Sequence, residues 1–218
     1  MPFLILALCI FLFIMWLQLR KAARADFIRS YMFPAGLLDK LQKTRPELSL
    51  KDRQLVAHAL RQFFLVYHKS SHHQIAMPSQ VVDDLWHEFI LYTKNYQAFC
   101  QKAFGRYLHH TPASAMSANN NDGLRKVWYY ACLEENINPK HPTRLPLLFA
   151  LDAKWNLADG FYYSPDCRQQ TGNGTVHCGA DFFTSDSGGS SSESSSGDSS
   201  GCSGGCSGGC GGGGGGGD

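Results

Sequence analysis

The chain opens with an apolar stretch that predicts a membrane-spanning helix. Residues 2–19 carry no charged side chain, and Arg20, Lys21 and Arg24 follow directly. Such a helix is about 27 Å long at ~1.5 Å per residue, close to a hydrocarbon core of ~30 Å. A cleaved signal peptide needs positive charge ahead of the apolar stretch, whereas here the charge follows it. The flank therefore predicts a single-pass anchor over residues 1–24, with the N-terminus outside and the body in the cytoplasm, as in a bacterial inner membrane.

The pattern after the anchor is helical. Asp26 predicts the cap of a separate helix that starts at Phe27, and Ser49 with Asp52 resembles a capping box before a longer one. That longer helix keeps one apolar face over more than three turns, which consists of Leu55, Val56, Ala59, Leu60, Phe63, Phe64 and Tyr67.

Three further helices complete the predicted domain. Ser79 opens a helix whose apolar positions run on to a stop at Gly105, and another helix follows a polar loop near residue 120. Residues 147–157 predict a last short helix. The prediction is a mainly α-helical domain over residues 25–160.

A cysteine-containing segment over residues 161–184 follows the helical domain. A turn at residues 172–174 could join two strands as a β-hairpin and hold Cys167 and Cys178 side by side, with His177 near them. Half of a zinc site, a redox pair, a disulfide and two unrelated thiols in a loop all fit this spacing.

The tail over residues 185–218 is composed almost wholly of Gly, Ser and Cys. It lacks the apolar side chains that offset the entropy of folding, so we expect a disordered segment. Its thiols, Cys202, Cys206 and Cys210, recur every four residues. A flexible tether that contacts partners and a soft-metal chelator are both compatible with that spacing.

Charge argues against one class of partner. The formal net charge is only +2, and no Lys/Arg-rich run with interleaved aromatic residues is present. A nucleic-acid-binding surface needs a concentration of such cations. We therefore expect a lipid bilayer and unidentified proteins as partners, and no nucleic acid.

The densest group of chemistry-bearing residues begins in the predicted helix after Ser79. Asp83 or Asp84 can meet His87 on one helix face, as a neighbouring carboxylate that orients the imidazole. A chain that turns back at Gly105 could bring His87 and Cys100 together with one of His109 or His110. The predicted metal residues are therefore His87, Cys100, His109 and His110. Imidazole and thiolate suit zinc best. Ordinary core packing of the same residues, with a hydrogen-bonded structural histidine, is the alternative.

This region resembles a known family. The run VVDDLWHEFILYTKNYQAFCQKAFGRYLHHTP is similar to the core motif of the glycine-rich domain-containing proteins of bacteria and plants, and LPLLFALDAKWNLADGFYYSPDC is similar to their bacterial members. Many plant members have W-H-x-H where this chain has Glu88 and Phe89 after His87. The resemblance implies that these residues act together, and it assigns no activity.

Three functions follow from these observations. The first is a membrane-anchored helical protein that binds a metal or small ligand at this cluster without turnover. The second is a hydrolase in which zinc activates water and Glu88 or Asp84 serves as general base. The third is a membrane scaffold whose tail contacts partners.

Overall fold

A computed structural model describes residues 2–71, 75–110, 120–165 and 177–178 of the chain. Within these residues the fold is mainly helical, which confirms the predicted class. The helices are α1 Pro2–Ser30, α2 Leu37–Thr44, α3 Leu50–Lys69, α4 Gln80–Leu91, α5 Thr93–Phe104, α6 Asn120–Glu134 and α7 Leu147–Lys154. Two short strands, β1 Tyr163–Ser164 and β2 His177–Cys178, complete the described elements.

Helix α1 has two different halves. It is long and apolar enough to cross a membrane, and none of its most apolar window is buried against the protein. Towards its C-terminal end Ala25 and Ile28 are buried in the core. The predicted separate helix capped by Asp26 is wrong, because α1 continues without a break to Ser30. The apolar segment and the first core helix therefore form one continuous helix.

Helix α3 forms the centre of the domain, and it packs against α1, α2, α4, α6 and α7. Its start confirms the sequence prediction, since the Ser49 side chain accepts a hydrogen bond from the backbone N–H of Asp52, and the Asp52 carboxylate accepts one from the backbone N–H of Ser49. The aromatic core lies where α3, α4 and α5 meet. There the Phe64 and Phe99 ring centroids are 4.9 Å apart, and those of Phe63 and Trp86 are 5.2 Å apart.

The predicted single helix from Ser79 to Gly105 is divided in two. Helix α4 ends at Leu91, and α5 begins at Thr93 after a break at Tyr92, whose backbone has φ −79° and ψ 59°. This break lets Phe89 and Phe99 pack face to edge, with their ring centroids 5.6 Å apart. The two ends predicted for this region, the Ser79 cap and the Gly105 stop, are confirmed.

The carboxylate of Asp152 joins α7 to the start of α4. It is buried, and its oxygens accept hydrogen bonds from Oγ of Ser79 at 2.7 Å and from the backbone nitrogens of Gln80 at 2.7 Å and Val81 at 3.3 Å. The backbone nitrogen of Phe161 donates to it at 2.9 Å. One buried carboxylate thus satisfies the N–H groups of Gln80 and Val81 at the α4 N-terminus, where a negative charge is also favoured by the helix dipole.

The two short strands pair in parallel, with Tyr163 opposite His177 and Ser164 opposite Cys178. Cys167 and the predicted turn at residues 172–174 lie outside the described residues, so the pairing of Cys167 with Cys178 stays a prediction. The predicted disordered tail, with its three thiols, also lies outside them.

Candidate metal centre

Helix α4 presents Asp83 and His87 on one face. The Ser79 cap and the Asp152 carboxylate fix where α4 begins, and this sets the direction of its first turns. Asp83 and His87 are four residues apart, a spacing that brings side chains together on a helix. Oδ2 of Asp83 lies 3.6 Å from Nδ1 of His87.

The chain after α5 turns back and carries His110 to the same face. Gly105 ends α5 with φ +76°, a backbone region that favours glycine. The hydroxyl of Tyr96 then donates to the Leu108 carbonyl at 2.6 Å and accepts from Nε1 of Trp86 at 3.1 Å. These buried hydrogen bonds tie the returning chain to α4 and α5, two residues before His110.

His110 lies against both Trp86 and Asp83. Its ring centroid is 4.5 Å from that of Trp86, at an interplanar angle of 73°, and 4.3 Å from that of His87. Nε2 of His110 is 2.8 Å from Oδ1 of Asp83. Because a carboxylate only accepts, Nε2 carries the proton in this hydrogen bond.

Asp83, His87 and His110 therefore form a compact group. One ligand atom from each can be chosen so that all three lie within 4.8 Å of one another. The exposed fractions of the side chains are 18% for Asp83, 10% for His110 and 51% for His87. Two imidazoles and one carboxylate are a donor set used by zinc and by non-haem iron, and three protein ligands leave a coordination position open. Of the three side chains, that of His87 is the most exposed to solvent.

Cys100 of the predicted ligand set lies apart from this group. Its side chain is buried in the core at 0% exposure. Burial raises the pKa of the Cys100 thiol, while contacts with the Leu108 backbone and the Tyr96 hydroxyl act in the opposite direction. A thiol is a metal ligand only as the thiolate, and this environment favours the protonated form.

The other predicted residues are also distributed around the group rather than within it. His109 is exposed and lies against Tyr107, with ring centroids 4.8 Å apart. Oδ2 of Asp84 accepts from Nε of Arg45 at 2.8 Å. Glu88 is half-buried and is not a member of the three-residue group found among the described residues.

The sequence pattern assigned Asp83 to orient a histidine, and the structure places its carboxylate within the group of three candidate ligands. It also did not identify Arg45, which binds Asp84 and, through both Nη atoms, the Asp159 carboxylate. The pKa of Arg45 is raised by these carboxylates, against the effect of its burial. Arg45 is 39 residues before Asp84 and carries no local signal of this contact.

The second predicted cluster and the tail thiols can be placed only in part. His177 and Cys178 belong to β2, and their backbones pair with β1. The side chains of this cluster and the three tail cysteines lie outside the described part of the chain. A zinc or redox site there stays a prediction.

Comparison with known proteins identifies one family. The sequence model of a family described as UCP032817-like, whose function is uncharacterised, matches residues 23–182. No curated protein and no solved structure matches the chain. The resemblance to glycine-rich domain-containing proteins is therefore wrong. The motif that suggested it includes Trp86 and Tyr96, which are hydrogen bonded to each other inside the core, so a short run of such residues reflects packing and does not identify a family.

Proposed function

The chain belongs to the UCP032817-like family, and we propose that it is a single-pass membrane protein whose helical domain binds a zinc ion through Asp83, His87 and His110. The observation that carries the proposal is the carboxylate of Asp83 between two imidazoles, with the three donor atoms within 4.8 Å. To bind a metal through Nε2, His110 would carry its ring proton on Nδ1, because a histidine ligand binds through the unprotonated nitrogen of the neutral imidazole.

Two contacts support a retained anchor rather than a cleaved signal sequence. The carbonyl of Lys21 lies 3.1 Å from Nε2 of His68 on α3, and Phe27 packs on Phe99 with ring centroids 5.9 Å apart. Cleavage between these positions would divide a helix whose C-terminal part belongs to the core. The basic flank after the span favours a cytoplasmic domain and an N-terminus on the opposite side, as in a bacterial inner membrane.

The anchor proposal predicts the mass and the solubility of the mature chain. Membranes from expressing cells should retain the protein after alkaline carbonate washing, and its intact mass should include the apolar segment. External protease should leave the domain uncut in spheroplasts and cut it once the membrane is permeabilised. A chain shortened at its N-terminus and released by carbonate would instead identify a signal sequence.

The metal proposal predicts one zinc ion per chain in the full-length protein purified in detergent and equilibrated with zinc. Asp83→Asn should lower zinc affinity by at least about 100-fold, because loss of a direct ligand costs more than loss of an outer partner. Chelator competition and elemental analysis measure this.

Asp84→Asn is the matched control for the metal experiment, because Asp84 is the adjacent carboxylate and is bound to Arg45. It should leave zinc binding within a few-fold of the wild-type value. Equal loss in both variants, or no zinc in the wild-type protein, would contradict the three-residue site and leave a scaffold. Iron in place of zinc would keep the site and change the metal.

A hydrolase is the second candidate, because three protein ligands would leave zinc a position for a water molecule. Water bound there by zinc would have a pKa near 7. Glu88 is the better candidate for general base, since Asp84 already accepts hydrogen bonds from Arg45 and Gln80. Zinc-dependent hydrolysis that is lost in Glu88→Gln with zinc retained would distinguish this enzyme from a protein that only binds the metal.

A further inference from the structure

The end of the apolar segment is joined rigidly to the helical domain. Residues 3–30 contain neither Gly nor Pro, and α1 runs through them without a break. Nη1 of Arg24 lies 3.5 Å from the Phe104 carbonyl at the end of α5, and the Lys21 carbonyl contacts His68 at the end of α3. The C-terminal ends of α3 and α5 therefore flank α1 just after its apolar part.

Cations are concentrated at this junction, which we call the cation collar: Arg20, Lys21, Arg24, Lys69 and Arg106. The guanidinium of Arg24 lies 2.9 Å from where a Cβ would stand on Gly105, and Nη2 of Arg106 donates to the Tyr67 hydroxyl at 3.2 Å. His68 lies beside these cations. Burial lowers the pKa of His68, and the charges of Arg24, Lys21 and Lys69 also lower it.

Acidic residues are scarce in the sequence around the α1 part of the collar. Lys69 forms an ion pair with Glu134, which also pairs with Arg29. The sequence has no acidic residue before Asp26, and Asp26 pairs with Arg29. The helix dipole explains a cation at the end of α3, such as Lys69. It does not explain Arg20 or Lys21, which lie well inside α1.

The collar lies at the depth of lipid headgroups if residues 2–19 span the bilayer. Arg24 is about 7.5 Å beyond Leu19 at ~1.5 Å per residue. The headgroup layer of one leaflet is roughly 5–7 Å thick, from the difference between the total and hydrocarbon thickness of a bilayer. Arg and Lys side chains at that depth attract the phosphates of anionic lipids, and the attraction grows with each added cation.

We propose that the cation collar, formed by α1 together with the ends of α3 and α5, binds anionic phospholipid headgroups and holds the helical domain against the membrane surface. This inference rests on the proposed retained anchor. It goes beyond anchoring, because Arg106 and Lys69 belong to the domain and not to the spanning helix. The domain would then sit at a fixed orientation on the bilayer rather than move freely on a tether.

The test compares full-length protein in nanodiscs of neutral phosphatidylcholine with protein in nanodiscs that also contain phosphatidylglycerol. Lipid that binds the folded domain raises its melting temperature. We expect an increase of about 2–4 °C in the anionic nanodiscs, measured by circular dichroism at low salt. The increase should vanish in ~1 M NaCl, where the screening length is about 3 Å.

Matched variants locate the effect. Arg24→Gln/Arg106→Gln should lose most of the increase, while Arg24→Lys/Arg106→Lys, which keeps both charges, should retain it. Lys40→Gln/Lys51→Gln removes two cations near the opposite end of α3, roughly 27 Å from Lys69 at ~1.5 Å per residue, and should retain the full increase. The melting temperature of each variant in neutral nanodiscs separates lipid binding from general destabilisation.

Three outcomes would overturn the proposal. One is equal melting of inserted wild-type protein in both lipids, and another is equal loss of the increase in the Lys40/Lys51 control. The third is an equal increase from inorganic phosphate added to neutral nanodiscs, which would indicate a free anion as ligand. Failure of the anchor proposal is distinguishable, because such a protein would not be recovered with the nanodiscs at all.

Discussion

Asp152→Ala is expected to destabilise the helical domain by about 3–5 kcal/mol, because it leaves several buried N–H groups without an acceptor. The side chain is only 1% exposed, and it accepts from Ser79, Gln80, Val81 and Phe161. For a domain of this size the loss corresponds to a fall in melting temperature of roughly 6–20 °C. Thermal unfolding of the full chain in detergent, followed by circular dichroism, measures it.

Asp152→Asn removes the negative charge of the side chain and keeps nearly the same shape. Each carboxylate oxygen accepts at least one backbone N–H, since Oδ1 accepts from Val81 and Oδ2 from Gln80 and Phe161. An amide in either orientation turns its NH₂ group towards one of these donors, so this variant should also be strongly destabilised. Burial, and then the neighbouring Asp152, raise the pKa of Tyr163.

Asp39→Asn is the control for the loss of a carboxylate in general. Asp39 is 76% exposed and meets Arg53 at 3.5 Å, so its replacement should change stability by no more than about 0.5 kcal/mol. Similar melting of the Asp152 and Asp39 variants would contradict the role assigned to the buried carboxylate. Asp152 also illustrates a limit of sequence analysis, because its partners at Ser79–Val81 are more than 70 residues away.

Local signals predicted the ends of helices better than their continuity. Ser49 with Asp52, Ser79 and Gly105 each carry their own physical reason for starting or stopping a helix, and the structure confirms them. The break at Tyr92 has no glycine or proline, and it follows from the packing of Phe89 on residues of α5 and of the chain before α2. The prediction from Asp26 was wrong, because a residue that is favourable as a cap does not end a helix whose next turn packs in the core.

In the candidate site too, local spacing predicted some contacts, and contacts that depend on packing were not predicted. The four-residue spacing of Asp83 and His87 on a helix was enough to pair them, and the Gly105 turn indicated that the following histidines return. Sequence could not decide between His109 and His110, because that choice depends on how Tyr96 holds the Leu108 carbonyl. It also grouped Cys100 with the histidines, although Cys100 faces the interior.

His110→Ala is expected to lose zinc binding, whereas Cys100→Ala is expected to keep it. His110→Ala should weaken zinc binding by at least about 100-fold, because it removes a direct ligand. It should also lower the melting temperature, because the ring is only 10% exposed and packs on Trp86. Cys100→Ala should bind zinc as the wild-type protein does and melt at a lower temperature, because it opens a cavity among buried aromatic rings of α3 and α5.

The adjacent histidine gives the control that decides the ligand set. His109→Ala removes an imidazole from the same returning chain, at an exposed position against Tyr107, and should leave both zinc affinity and melting unchanged. Chelator competition on the three variants, with circular dichroism to establish that each is folded, measures the two properties separately. If folded Cys100→Ala or His109→Ala lost zinc while His110→Ala kept it, the three-residue site would be contradicted and a site that uses Cys100 and His109 would be supported. Burial opposes the thiolate that Cys100 would need as a ligand, and we therefore expect His110, held by Asp83 and Trp86, to be the residue on which zinc binding depends.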